Sequence, residues 1–172
     1  MLSPKLSSQK KLKFSNKFKE IYDACGYKDT NLMSGVKLLL KRLEGMKIQM
    51  YISTNKRLLP TKRILKKLVI EKFFKQVFTV DFNNGKLMTK AEVLNLMMHK
   101  LKLKREETLY VGDTALDIIA TSKNGLKSAI FLNGYGNRKE IFRLEPEYTI
   151  RKMPDLAIII NDSYREENKT DD

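Results

Sequence analysis

Asp113 and Asp117 stand four residues apart in the run LYVGDTALDIIA, residues 109–120. An apolar strand there would deliver Gly112 and Asp113 into a turn, and the emerging helix would carry Asp117 on the same side of its first turn. Two carboxylates at the carboxyl end of a strand suit a hard cation such as magnesium, which takes oxygen ligands and keeps several waters. The plainer alternative is a helix start, with Asp113 as its cap and Asp117 at the positive end of the helix dipole. A second candidate is Ser53-Thr54-Asn55-Lys56. A hydroxyl followed by backbone amides entering a helix can clamp a phosphate, although Ser and Thr before a helix also serve as plain caps. The third is Lys90, in Met88-Thr89-Lys90-Ala91 at the start of a predicted helix. A lysine there faces an unfavourable dipole, so a nearby anion would explain it; lysines are, however, abundant throughout this chain.

For these groups to meet, the chain must bring several strand ends together. Helical and strand periodicities alternate along the sequence, the signature of an α/β domain with a largely parallel sheet. In such a sheet ligands gather beyond the carboxyl ends of the strands. Strands are predicted over Lys47–Thr54, Val77–Val80, Thr108–Val111 and Ser128–Leu132. A first helix is predicted over Ser15–Cys25, with Phe14, Phe18, Ile21, Tyr22 and Cys25 along one face. A second begins at Ser34 as N-cap and repeats Val36, Leu39, Leu40 and Leu43 at helical spacing before Gly45. Others place Ile64, Leu65 and Leu68, then Leu94, Met97, Met98 and Leu101, on inward faces. Helices are also expected over Leu116–Lys123, Ile141–Leu144 and Met153–Ile160, and a turn at Asn83-Asn84-Gly85.

Composition narrows the classes. A chain of 172 residues can bury one substantial core. No apolar run approaches the eighteen or so residues of a membrane span, and no apolar signal core follows Met1–Lys13. One cysteine, Cys25, cannot form an internal disulfide, which fits a reducing compartment, and cytoplasm is the plain reading. The net charge of +14 could attract anionic partners. Its excess is lysine dispersed along the whole chain, except for a segment to residue 19 that holds six lysines and no acid. That segment reads as a solvated leader.

The string YVGDTALDIIATSKNGLKS resembles the fourth motif of the haloacid dehalogenase superfamily, in its phosphoglycolate-phosphatase-like branch. Other pieces follow in order. Tyr27-Lys28-Asp29 with LMSGV (32–36) resembles the link from helical cap to core, and YISTNK (51–56) resembles the second motif. Lys90 matches the third motif's lysine, and Gly134-Tyr135-Gly136 the loop after the last core strand. The resemblance implies a Rossmann-like α/β fold, a mostly parallel sheet flanked by helices. It gives Thr54 and Lys90 catalytic roles, phosphate binding to Thr54, Asn55 and Lys90, and the metal site to Asp113 and Asp117.

The family's Asp-x-Asp-x-Thr nucleophile segment has no counterpart in these residues. Without it a carboxylate nucleophile, one magnesium ligand and the central first strand are expected to be missing, with most of the helical cap. The division implied is a basic leader (1–13), a cap remnant (14–33), a core (34–161) and a polar tail (162–172). The expectation is a magnesium-dependent phosphatase in descent, acting on a phosphorylated small molecule. It is expected to be truncated and inactive alone, with Mg2+ weakly held or absent. Unpaired inner strand edges should leave the isolated chain marginal, self-associating, rearranged or completed by another chain. An alternative is a non-catalytic protein that binds anions or nucleic acid through its basic surface. Against it, the sequence shows no stacking-aromatic run and no recognised nucleic-acid module.

Overall fold

The computed structural model describes residues 7–82 and 87–167. Helices and strands alternate, in the order α1 (Ser8–Cys25), α2 (Val36–Gly45), β1 (Met50–Thr54), α3 (Leu58–Lys67), β2 (Phe74–Thr79) and α4 (Lys90–Leu101). Then come β3 (Leu109–Gly112), α5 (Ala115–Lys123), β4 (Lys127–Phe131), α6 (Arg138–Arg143), β5 (Tyr148–Ile150) and α7 (Leu156–Glu167). All strand pairs are parallel. The α/β class read from the sequence is the one observed.

Several boundaries differ. Helix α1 starts at Ser8, capped by Ser7, so it takes in part of the basic leader. Its apolar side, with Phe14, Phe18 and Ile21, is exposed. Ser34 does not cap α2: Gly35 holds that place at φ 82°, a left-handed conformation that glycine adopts without strain. Strand β1 begins at Met50 because Lys47 turns the chain at positive φ. The short strand β5 has no sequence signal beyond Tyr148-Thr149-Ile150. Helix α7 carries the chain through Glu167, into the expected tail. The Asn83–Gly85 turn lies outside the described residues. Among the described residues no helix is long and apolar enough to cross a membrane.

The sheet is in two pieces. Strands β1 and β2 form one, and β3, β4 and β5 the other, with no ladder between β1 and β3 among the described residues. Side chains nonetheless join the halves on both faces. Tyr51 of β1 and Tyr110 of β3 pack with Phe78, Val93, Leu94 and Met97, so α4 lies across both sheets. On the other face Met50 and Leu109 pack with Leu39, Leu43, Ala129 and Phe131. Burial follows the pairing. Strand β4, paired on both sides, buries Ser128 through Phe131, whereas no residue of β1 is fully buried and Val111 of β3 is 40% exposed. Among the described residues β1 and β3 each have one edge without a ladder, and those strands end at Thr54 and just before Asp113.

Candidate functional site

The centre of the site is Asp117, 1% exposed. Its Oδ2 accepts from the Asp113 N–H (3.1 Å), the Thr114 N–H (2.9 Å) and the Thr114 hydroxyl (2.6 Å). Its Oδ1 accepts from the Tyr110 hydroxyl at 3.1 Å and pairs with Lys90 Nζ. The strand, the turn and α4 therefore converge on one carboxylate. Gly112 allows this, because a Cβ there would collide with the Asp117 carboxyl group. Thr114, not Asp113, is the N-cap of α5, so the capping alternative is corrected to that residue.

Lys90 is the first residue of α4, where Thr89 caps the helix and the side chain of Glu92 bonds back to the Thr89 N–H. The anion beside it is Asp117, presented by another helix. Lys90 also lies over the Tyr110 ring, 5.8 Å from its centroid. Burial alone would raise the Asp117 pKa. Hydrogen bonds from Lys90 and Thr114, and the charge of Lys90, outweigh it and hold the carboxyl below its ordinary value. The Tyr110 phenol moves the other way, pushed up by burial and then by the charge of Asp117.

A pH dependence follows. A depressed folded pKa means that the carboxylate's stabilisation is complete above the unfolded value of about 4 and is lost as pH falls through the folded one. The urea midpoint of the native chain should therefore exceed that of Asp117→Asn by a constant margin from pH 7 to about pH 5. The margin should shrink in stronger acid. An unchanged margin down to about pH 2 would contradict the assignment.

Asp113 is placed differently. Its Oδ2 accepts from the Tyr135 N–H at 2.9 Å, and Oδ1 accepts no hydrogen bond from the described residues. The Gly134–Gly136 loop closes tightly on it: a Cβ on Gly136 would strike the Asp113 carbonyl oxygen. Tyr135, between those glycines, is fully exposed beside the carboxylate. Thr54 ends β1, and its hydroxyl accepts from the Lys56 N–H at 3.2 Å. Asn55 and Lys56 are exposed in the loop that follows. The neighbouring Ser53 hydroxyl is buried and lies near Tyr110. The structure thus joins Lys90, Asp113 and Asp117 through direct contacts. Thr54 makes no hydrogen bond or ion pair with any of the three among the described residues; its bond is to the Lys56 N–H.

The sequence reading missed a second polar cluster. Arg57, the N-cap residue of α3, pairs with Asp23 of α1 at 2.5 Å and with Asp81 at 3.6 Å. Asp81 accepts from the Leu58 N–H (3.0 Å) and the Thr79 hydroxyl (2.7 Å). Arg63 donates to the Asp23 carbonyl, and Lys56 Nζ to the Tyr22 hydroxyl at 3.0 Å. The loop after Thr54 is thereby tied to α1. No sequence spacing announces contacts between residues more than thirty positions apart.

Magnesium fits this donor set only in a sparse form. Asp113 Oδ1 is an available carboxylate oxygen at a strand end, whereas both Asp117 oxygens already accept bonds. Among the described residues no group of three or more His, Cys, Asp or Glu could enclose a metal. Magnesium commonly binds through one or two carboxylates, with waters and substrate oxygens completing its shell.

Comparison with known proteins gives a consistent answer. The chain is 31% identical over 128 residues to the pyrophosphatase PpaX of Halalkalibacterium halodurans, covering 73% of this chain and 58% of that protein. It is 30% identical over 160 residues to a phosphoglycolate phosphatase of Vibrio cholerae, covering 92% and 70%. These 172 residues thus span between about half and three-quarters of such relatives. A crystal structure of a predicted phosphatase from Clostridium acetobutylicum shares the fold, with a TM-score of 0.83 at 22% identity over 91% of this chain and 72% of that one. The family model described as haloacid dehalogenase-like hydrolase matches residues 2–131, which include β1, α4 and the Asp113–Asp117 turn. With three-quarters of its length matched by that model, the chain belongs to the haloacid dehalogenase-like hydrolase family.

Proposed function

We propose that the chain carries the phosphate- and metal-facing part of a phosphatase-type hydrolase for phosphorylated small molecules. The observation that supports this most is Asp113, held through one oxygen by the Tyr135 N–H while the other is available. In this reading Thr54 and Asn55 hold the phosphoryl oxygens with hydroxyl and backbone donors. Lys90 adds positive charge, and Asp117 keeps both Lys90 and the Asp113 turn in place. Bound magnesium would neutralise phosphoryl charge, with Asp113 as its carboxylate ligand. The named relatives suggest pyrophosphate and phosphoglycolate as model substrates, both with a second anionic group beside the phosphate.

We further infer that these 172 residues do not turn over substrate by themselves. Covalent phosphoryl transfer needs a positioned nucleophile. The sequence contains no Asp-x-Asp-x-Thr, Thr54 contacts no general base among the described residues, and Asp113 is tied to the Gly134–Gly136 loop. Two measurements test the proposal. Orthophosphate should bind the chain, and Thr54→Ala should weaken that binding about tenfold, as expected for one charge-assisted hydrogen bond. An aryl phosphate with magnesium should show no hydrolysis above buffer. Robust turnover that disappears in Asp113→Ala would overturn the claim of inactivity, and orthophosphate binding unaffected by Thr54→Ala would overturn the site.

A further inference from the structure

We propose that Lys56 and Tyr22 form a subsite for a second anionic group on the substrate, which makes them specificity-determining residues. The proposal rests on the phosphate reading of Thr54 given above and adds what recognises the rest of the molecule.

Charge accounting around the loop is the first observation. Three cations lie together, Lys56, Arg57 and Arg63, against two carboxylates, Asp23 and Asp81. Arg57 is engaged with both carboxylates, and Arg63 has the Asp23 carbonyl oxygen. Lys56 has no carboxylate within ion-pair distance among the described residues. Its partner is a neutral phenol, the Tyr22 hydroxyl at 3.0 Å, with Nζ 5.7 Å from the centroid of the same ring. The cluster therefore keeps one uncompensated positive charge.

The position of that charge is the second observation. The Lys56 N–H donates to Thr54 Oγ1, so the backbone of the lysine adjoins the proposed phosphate-binding hydroxyl, on an exposed loop. Tyr22 is also held in place. Its ring stacks on Phe18 with centroids 5.8 Å apart, and the next residue, Asp23, is fastened to Arg57 and Arg63. A tyrosine that accepts from an ammonium still has its own O–H to donate. Lys56 and Tyr22 thus offer a cationic and a neutral donor side by side, a pairing suited to a carboxylate or phosphate oxygen. In this proposal a ligand with a second anionic group beside its phosphate engages both groups, whereas orthophosphate engages Thr54 alone.

The test is calorimetric titration of the full chain with orthophosphate, pyrophosphate and 2-phosphoglycolate in magnesium-free buffer. Lys56→Met should weaken pyrophosphate or 2-phosphoglycolate binding about tenfold and leave orthophosphate within about twofold. Tyr22→Phe, which keeps the ring and removes the donor, should shift the same ligand in the same direction, and Lys56→Arg should restore most of the loss. A response confined to pyrophosphate assigns the subsite to phosphate; one confined to 2-phosphoglycolate assigns it to carboxylate. Equal loss for all three ligands overturns the proposal. So does a loss no larger than that from Lys75→Met, a charge control on an exposed residue of β2. Failure of the unaltered chain to bind orthophosphate refutes the Thr54 reading itself, and the subsite falls with it.

Discussion

Replacing Lys90 with methionine is expected to lower folding stability by about 3–5 kcal/mol, the range seen when one member of a buried ion pair is removed. Asp117 is the reason. It is 1% exposed and buried within the turn, so without Lys90 a carboxylate stays buried with only neutral donors. For a domain whose total stability is about 5–15 kcal/mol, that is a large fraction. The urea midpoint should fall by about 2 M, taking a slope of about 2 kcal/mol/M. The double variant Lys90→Met/Asp117→Asn should recover much of the loss, because the uncompensated charge leaves with its partner. If Lys90→Met shifts the midpoint by less than about 0.3 M, the pair does not hold the site together.

The second large effect concerns the divided sheet. Alternate residues of a strand direct their N–H and C=O groups to opposite neighbours, so about half of the β1 and β3 amides face the side without a ladder. Those amides should exchange with deuterium about a thousandfold faster than those of Ala129 and Ile130, in β4, which is paired on both sides. Peptide-resolved hydrogen exchange on a dilute sample measures this directly. Uniform protection across β1, β3 and β4 would contradict the division. Protection that rises with protein concentration would show the free edges pairing between copies, the known hazard of exposed strand edges.

The sequence was most informative where local chemistry is sufficient. The apolar run into Gly112-Asp113 had to be strand then turn, and Leu94, Met97, Met98 and Leu101 had to be an amphipathic helix. Those periodicities express backbone geometry and burial, which are local properties. The α/β class followed from their alternation. Boundaries were less legible, because helix ends depend on single caps: Gly35 took the place expected for Ser34.

The site was legible in its members and not in its wiring. Spacing by itself placed Asp113 beside Asp117, and the dipole argument made an anion near Lys90 one explanation of a residue that the abundance of lysines also explained. Only the tertiary structure decided that the anion is Asp117, twenty-seven positions away, and that Asp113 is fastened by the Tyr135 N–H. It alone revealed the Arg57 cluster and Lys56, which has no carboxylate partner among the described residues. The physical reason is the same in each case. A sequence fixes which groups are charged and which faces are apolar. Which charge meets which is settled when packing brings distant elements together and burial makes an unpaired group costly.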